Sequence, residues 1–239
     1  MSRDSEIAIC LLLPDVLGTY SDSGNATVLA QRLRWRDIPA RILTCTADRE
    51  PPTTAEIYLL GGGEDTAQFH AAQWLLAHPS LCDAIATRAL TLAVCAGMQI
   101  LGHTMTDSCG RTHPGAGLLD IVTAPRRHRA TGEVVTRSPG IGLLTGFENH
   151  RGATTLGPEA AAFGQVLSGI GNGDGRWGRK NTDGAHTQRI IATYLHGPVL
   201  ARNPTLADHI LSRATGTSLT ELAVPDLDSL RAGYLSGQR

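Results

Sequence analysis

A cysteine, a histidine and a glycine triplet are the residues of this chain whose types and settings point first to chemistry. In Thr91-Leu-Ala-Val-Cys95-Ala-Gly97-Met-Gln-Ile-Leu-Gly102, an apolar run leads straight into a cysteine and two small residues, and a second apolar run then begins. That is the layout of a nucleophile elbow. A sharp strand-to-helix turn holds its nucleophile in a strained conformation, needs small neighbours, and leaves the sulfur at the positive end of a helix, where a thiolate is favoured. The competing reading is a buried core thiol, the usual fate of a cysteine after an apolar strand. Cys10, Cys45, Cys82 and Cys109 fit that second reading better, and the five cysteines form no CxxC pair and no zinc spacing.

In Ile190-Ile-Ala-Thr-Tyr194-Leu-His196-Gly-Pro198, a histidine stands at the end of a late apolar run, where Gly-Pro stops regular structure. Of the nine histidines it is the best placed to act as a base toward a cysteine. His70, His78 and His209 fall in predicted helices, and His103 and His113 stay open. Tyr58-Leu-Leu-Gly61-Gly62-Gly63-Glu64-Asp65 ends a third apolar run in glycines, so its backbone can approach a substrate and offer N–H groups. Gly62 or Gly63 would supply half of an oxyanion hole and the amide of Ala96 the other half. A tight turn is the alternative reading of the triplet.

These residues need a scaffold that brings them to one edge. Apolar runs of strand length alternate with stretches of helical period: Ile7–Leu13, then Asn25–Trp35; Ala40–Cys45; Ile57–Leu60, then Thr66–Ala77; Leu90–Val94, then Met98–Leu101. Continuous apolar strands separated by helices predict a three-layer, mostly parallel, doubly wound α/β sheet. Such sheets gather functional groups at the carboxyl ends of their strands, where Cys95 and His196 can meet. After Gly115 shorter pieces (Gly117–Val122, Gly132–Thr136, Phe163–Leu167, Ile190–Tyr194) predict antiparallel additions, Gly169–Gly184 a long turn or hairpin tip, and Pro204–Ala214 a last helix. The 239 residues are read as one domain, with a core over about 6–215 and a tail over 216–239.

Lysine plus arginine number 21 against 22 acidic residues, a formal net charge of −1. That balance offers no reason to expect nucleic acid or an anionic membrane, and a small molecule or a protein is the expected partner. The apolar run after the polar first residues is too short to span a bilayer and has no signal-peptide cleavage pattern, so a cytoplasmic location is expected.

The glycine triplet, Val-Cys-Ala-Gly-Met-Gln at the elbow and Tyr-Leu-His-Gly-Pro together resemble class I glutamine amidotransferases of the cobyric-acid-synthase type. Four further segments resemble the GatD family, the glutaminase subunits of lipid II isoglutaminyl synthase that work with the Mur-ligase-like MurT. These are Leu13-Pro-Asp15 with Thr19-Tyr-Ser-Asp22-Ser-Gly-Asn25, Arg129-Ala-Thr-Gly-Glu133, Gly146-Phe-Glu-Asn-His150, and Leu195-His-Gly-Pro-Val-Leu-Ala-Arg-Asn-Pro204. The resemblance implies Cys95 as nucleophile, His196 as catalytic histidine and Arg129 as the arginine that holds L-glutamine, with Arg126 and Arg127 as neighbouring candidates. A guanidinium suits that role because it pairs bidentately with an α-carboxylate. It also implies a heterodimer in which a MurT-like partner uses ATP and magnesium to activate lipid II. This chain would then need no cofactor or metal, and it would lie at the inner face of the membrane only through lipid II. The absence of a G-x-x-x-x-G-K-[ST] phosphate loop agrees with ATP chemistry on a partner.

The chain departs from many class I amidotransferases at Pro198, where they carry a glutamate two residues after the histidine. The carboxylate that orients His196 is therefore open: the resemblance implies an aspartate of the partner, and Asp22, Glu133 and Glu148 are in-chain candidates. Other readings are an amidotransferase subunit for a corrinoid, a protein that keeps Cys95 as a redox-sensitive thiol, and a silent scaffold subunit.

Overall fold

A computed structural model describes residues 6–19, 22–175 and 181–236. The chain runs β1 (Ile7–Leu12), α1 (Gly24–Arg34), β2 (Ala40–Cys45), β3 (Ile57–Leu60), α2 (Asp65–Leu76), α3 (Pro79–Thr87), β4 (Leu90–Val94) and α4 (Ala96–Leu101). It continues through β5 (Thr104–Thr106), β6 (Thr112–Pro114), β7 (Ile121–Ser138), β8 (Gly142–Leu156), β9 (Gly164–Ser168), β10 (Thr182–Asp183), β11 (Ala185–His186) and β12 (Ile190–Thr193). It ends in α5 (Val199–Arg202), α6 (Pro204–Thr215) and α7 (Leu227–Ser236).

The first sheet has the order β11-β12-β4-β3-β1-β2, parallel throughout except for β11 against β12. Strands β1, β3, β4 and β12 are buried along their whole length, which is why they read as continuous apolar runs rather than alternating ones. From β1 the chain moves one way to β2 through α1, and from β3 the other way to β4 through α2 and α3. Right-handed crossovers then put these helices on opposite faces. α6 packs against α1 and β4, and α2 against α3 and α4. The mostly parallel α/β reading holds.

The second half differs from the sequence expectation in three respects. Ile190–Tyr194, grouped with the antiparallel pieces, contributes β12, which pairs parallel with β4. Of Gly117–Val122 only the last two residues enter a strand. Gly132–Thr136 is the middle of β7, 18 residues long, which pairs antiparallel with the 15-residue β8. The arginine-rich stretch concealed that length. Arg127, His128 and Arg129 are exposed around an irregularity between Pro125 and Ala130, and an exposed run of charged residues across such an irregularity carries no apolar alternation to read. These strands form a separate sheet, β10-β9-β7-β5-β6 with β8 on β7. Of Gly169–Gly184, the described part leads from β9 into its partner β10 and residues 176–180 lie outside the described residues, as do Tyr20 and Ser21 of the Thr19–Asn25 segment. The tail contains α7. His78 sits between α2 and α3 rather than inside a helix.

Candidate active site

Cys95 stands between β4 and α4 with φ +54° and ψ −108°, the positive-φ backbone that an elbow demands of a non-glycine residue. Three hydrogen bonds impose it: Cys95 N–H donates to Thr193 O of β12 at 2.9 Å, Gly97 N–H to Gly61 O at 3.0 Å, and Gln99 N–H to Cys95 O at 3.1 Å. A Cβ on Gly97 would lie 2.8 Å from Leu60 O, so the elbow and β3 approach as closely as only glycine allows.

His196 follows β12 and is 2% exposed. Its backbone pairs with Phe147 of β8 in both directions, at 2.9 and 3.1 Å, which fixes the residue between the two sheets. The imidazole Nδ1 lies 3.2 Å from Asp22 Oδ2. Asp22, itself 2% exposed, also accepts the Gly62 N–H at 2.9 Å. Burial pulls the His196 pKa down, but hydrogen bonds to Asp22 and to the Cys95 sulfur, and their charges, lift it to about 10. Carboxylate, imidazole and thiol are therefore within reach of one another, delivered by the segment just before α1 and by the ends of β12 and β4. By contrast burial raises the Cys10 thiol to about 12 and lifts Cys45 and the half-buried Cys82 as well, as befits inert thiols; Cys109, expected among the buried ones, is exposed.

Among the three in-chain carboxylates, Asp22 alone meets His196. Glu133 pairs with Arg202 at 2.8 Å on the surface. Glu148 is buried and accepts the Ile170 and Gly171 N–H groups at 2.7 and 2.8 Å.

A cleft opens from Cys95 between the first sheet and the β7–β8 ribbon, lined by Gly63, Ala96, Gln99, Arg129 and Asn149 among others. Arg129 Nη1 donates to Asn149 Oδ1 at 2.6 Å, which aims one edge of its guanidinium and leaves other donors to the cleft. Neither Arg126 nor Arg127 lines it: Arg127 is exposed, and Arg126 turns its Nη1 into a buried position toward Gly173. The expectation for Gly62 is corrected: its N–H donates to the Asp22 carboxylate, and of the two glycines it is Gly63 that lines the cleft, together with Ala96.

The sequence reading passed over Gln99, Asn149 and Tyr194. Gln99 lies one helical turn past Cys95, and that spacing alone could have flagged it. His113, left open from sequence, stacks on Phe69 of the cleft wall at 3.8 Å and pairs with Asp107 at 3.1 Å, and His103 pairs with Asp120 at 3.1 Å. Among the described residues no cluster of three or more His, Cys, Asp or Glu is placed to hold a metal, and no helix is long and apolar enough to cross a membrane.

Comparison with known proteins completes this geometry. Residues 8–204 match the CobB/CobQ-like glutamine amidotransferase domain. The chain belongs to that family. Within this amidotransferase family it is 34% identical over 212 residues to the lipid II isoglutaminyl synthase (glutamine-hydrolyzing) subunit GatD of Staphylococcus aureus strain N315, covering 87% of this chain and 84% of that one. It is 29% identical to the subunit of the same name from Streptococcus pneumoniae, over 87% of this chain and 80% of that one. A cobyric acid synthase of Limosilactobacillus reuteri is 32% identical, but over only 52% of this chain and 25% of that protein. Among solved structures, a glutamine amidotransferase from Thermotoga maritima shares the fold with a TM-score of 0.50 at 13% identity, covering 97% of this chain and 91% of that one.

Proposed function

We infer that this chain is the glutaminase subunit of a lipid II isoglutaminyl synthase, hydrolysing L-glutamine to glutamate and ammonia and passing the ammonia to an ATP-dependent, MurT-like partner. The observation that carries the reading is the buried series Asp22, His196, Cys95, which opens on a cleft reaching Arg129. Arg129 pairs with the α-carboxylate of glutamine and places its side-chain amide over Cys95. Asp22 accepts a hydrogen bond from the Nδ1–H of His196, so Nε2 faces the thiol; the raised His196 pKa favours an imidazolium beside Cys95. The thiolate adds to the amide carbon, and the N–H groups of Ala96 and Gly63 stabilise the oxyanion. His196 gives its proton to the leaving nitrogen, releasing ammonia and a thioester. It then takes a proton from water, whose hydroxide displaces Cys95 to yield glutamate.

Because Asp22 fills the orienting role within the chain, the partner need not supply that carboxylate. The partner's part is to bind ATP and magnesium, activate the D-glutamate α-carboxylate of lipid II and receive ammonia to form D-isoglutamine. Ammonia lost to water is protonated, so the two sites require a closed route. The chain works in the cytoplasm and reaches the membrane through lipid II.

Glutamate release is measured with wild type and Cys95→Ala, alone and with the partner. Release that disappears in the variant and rises with the partner is expected. No release from a folded, associated complex would refute the reading.

A further inference from the structure

The Gly146–His150 motif, which the chemistry above leaves unused, continues along β8 to Gly152 and touches each part of the site. Phe147 pairs with the His196 backbone and Asn149 holds Arg129. On the opposite face of the strand Glu148 and His150 point inward, 2% and 3% exposed. His150 Nδ1 lies 3.0 Å from the Gly152 carbonyl. A carbonyl can only accept, so Nδ1 carries the hydrogen and the ring orientation is defined. Nε2 faces Glu148 Oε2 at 3.4 Å, and the backbone N–H groups of Ile170 and Gly171 anchor that carboxylate in turn.

The His150 ring stacks on Tyr194, with centroids 3.6 Å apart and planes 11° from parallel. Tyr194 is fully buried. Its hydroxyl accepts a hydrogen bond from Gln99 Nε2 at 2.9 Å and pairs with Thr154 Oγ1 at 2.7 Å. The other end of that amide, Gln99 Oε1, accepts from Gln68 Nε2 at 2.6 Å. Gln99, one of the residues lining the cleft, is thus clamped at both ends one turn beyond Cys95, and the Tyr194 side of the clamp is held against tilting by the His150 ring. There is no slack: a Cβ on Gly152 would lie 2.3 Å from Gln99 Nε2 and 2.6 Å from the Tyr194 hydroxyl.

We propose that His150 is a positioning residue for glutamine hydrolysis, acting through Tyr194 to hold the Gln99 amide beside Cys95. The proposal rests on the glutaminase reading above and names the next residues of the same site. The agent is the stacked ring rather than a proton transfer: His150 lines the same cleft as Cys95, but its ring contacts run to Tyr194, Gly152 and Glu148.

The test is glutaminase kinetics of the chain in complex with its synthetase partner, for wild type, His150→Ala, His150→Phe, Tyr194→Phe and His150→Ala/Tyr194→Phe. Misplacing a contact group by a fraction of an ångström gives an expected kcat loss of about 20-fold for His150→Ala and for Tyr194→Phe, with KM changed less than about threefold. The double variant should be within about twofold of the worse single one, because both act through one contact. His150→Phe, which keeps a stacked ring, should recover most of kcat, a rescue that general loosening of the core would not give. Wild-type-like kcat in His150→Ala, or losses that multiply in the double variant, would overturn the proposal. If His150→Ala does not fold, Tyr194→Phe decides alone, and unchanged kcat there overturns it. A wild-type complex that releases no glutamate overturns the glutaminase reading and this proposal with it; an active wild type with unaffected variants overturns only the proposal.

Discussion

The two walls of the cleft are built on opposite principles. The inner wall is the carboxyl edge of the parallel sheet, where Cys95, His196 and Asp22 are each at most 5% exposed; the first two follow strands hydrogen-bonded to one another, and Asp22 immediately precedes the α1 N-cap. The outer wall is the β7–β8 ribbon, where Arg129 is exposed and is held by one side-chain contact to Asn149. Burial strengthens hydrogen bonds and charge pairs, so the inner wall can hold a protonated His196 against Asp22. A charged, solvated side chain at the rim can meet a charged amino acid without the cost of desolvating a lone guanidinium beforehand. The inner wall therefore suits bond-making and the outer wall recognition, and variants of each should fail in different kinetic constants.

The largest separation is expected for Cys95→Ala, which removes the proposed nucleophile and should lower kcat by roughly 10⁴-fold or more while glutamine still binds; a steady-state glutamate assay with isothermal binding tests both halves. Asp22→Asn keeps the shape of the inner wall but removes the charge that orients His196, and a kcat loss on the order of 10²-fold is expected. A loss confined to KM would instead place Asp22 outside the relay. On the outer wall Arg129→Lys should raise KM by about tenfold with kcat little changed, because an ammonium cannot form the bidentate pair. The same change at Arg127 should leave both constants near wild type, and a reversed pattern would move the glutamine carboxylate to the other arginine.

Stability offers a smaller test of the inner wall. The His196 pKa is raised from 6.5 to about 10, so its ionised form contributes stability that is complete below pH 6.5, declines as pH rises through that interval, and is gone above about 10. The denaturant midpoint of wild type minus that of His196→Gln should follow that curve; a flat difference would contradict a buried charge pair. Where the two walls meet, Gly152→Ala crowds Gln99 and Tyr194 and should cost about 1–3 kcal/mol, read as a lower melting temperature.

The same contrast explains what was legible in sequence. β3 and β4 have the limits read from their apolar runs, because a strand buried on both faces must be apolar at every position; β2 has the limits read too, although it is an edge strand with Cys45 alone buried. Cys95 and His196 were legible because an elbow and a strand-ending His-Gly-Pro leave local marks. The length of β7 was not, since its central arginines carry no burial signal. Asp22 was one carboxylate among three, and Gly62 and Gly63 were alternatives for the substrate-facing amide, of which Gly62 is the one whose N–H meets that carboxylate.

What the sequence by itself determined is the alternation of buried strands and helices, and with it the sheet edge that receives Cys95 and His196. Local residue order encodes burial, and a parallel sheet converts burial into position. Only the tertiary structure decided that Asp22 orients toward His196 across 174 residues of chain, that Arg129 rather than its neighbours reaches the cleft, and that β8 ties both walls together. Those choices depend on which distant side chains share a few ångströms of buried space, and residue spacing does not record that.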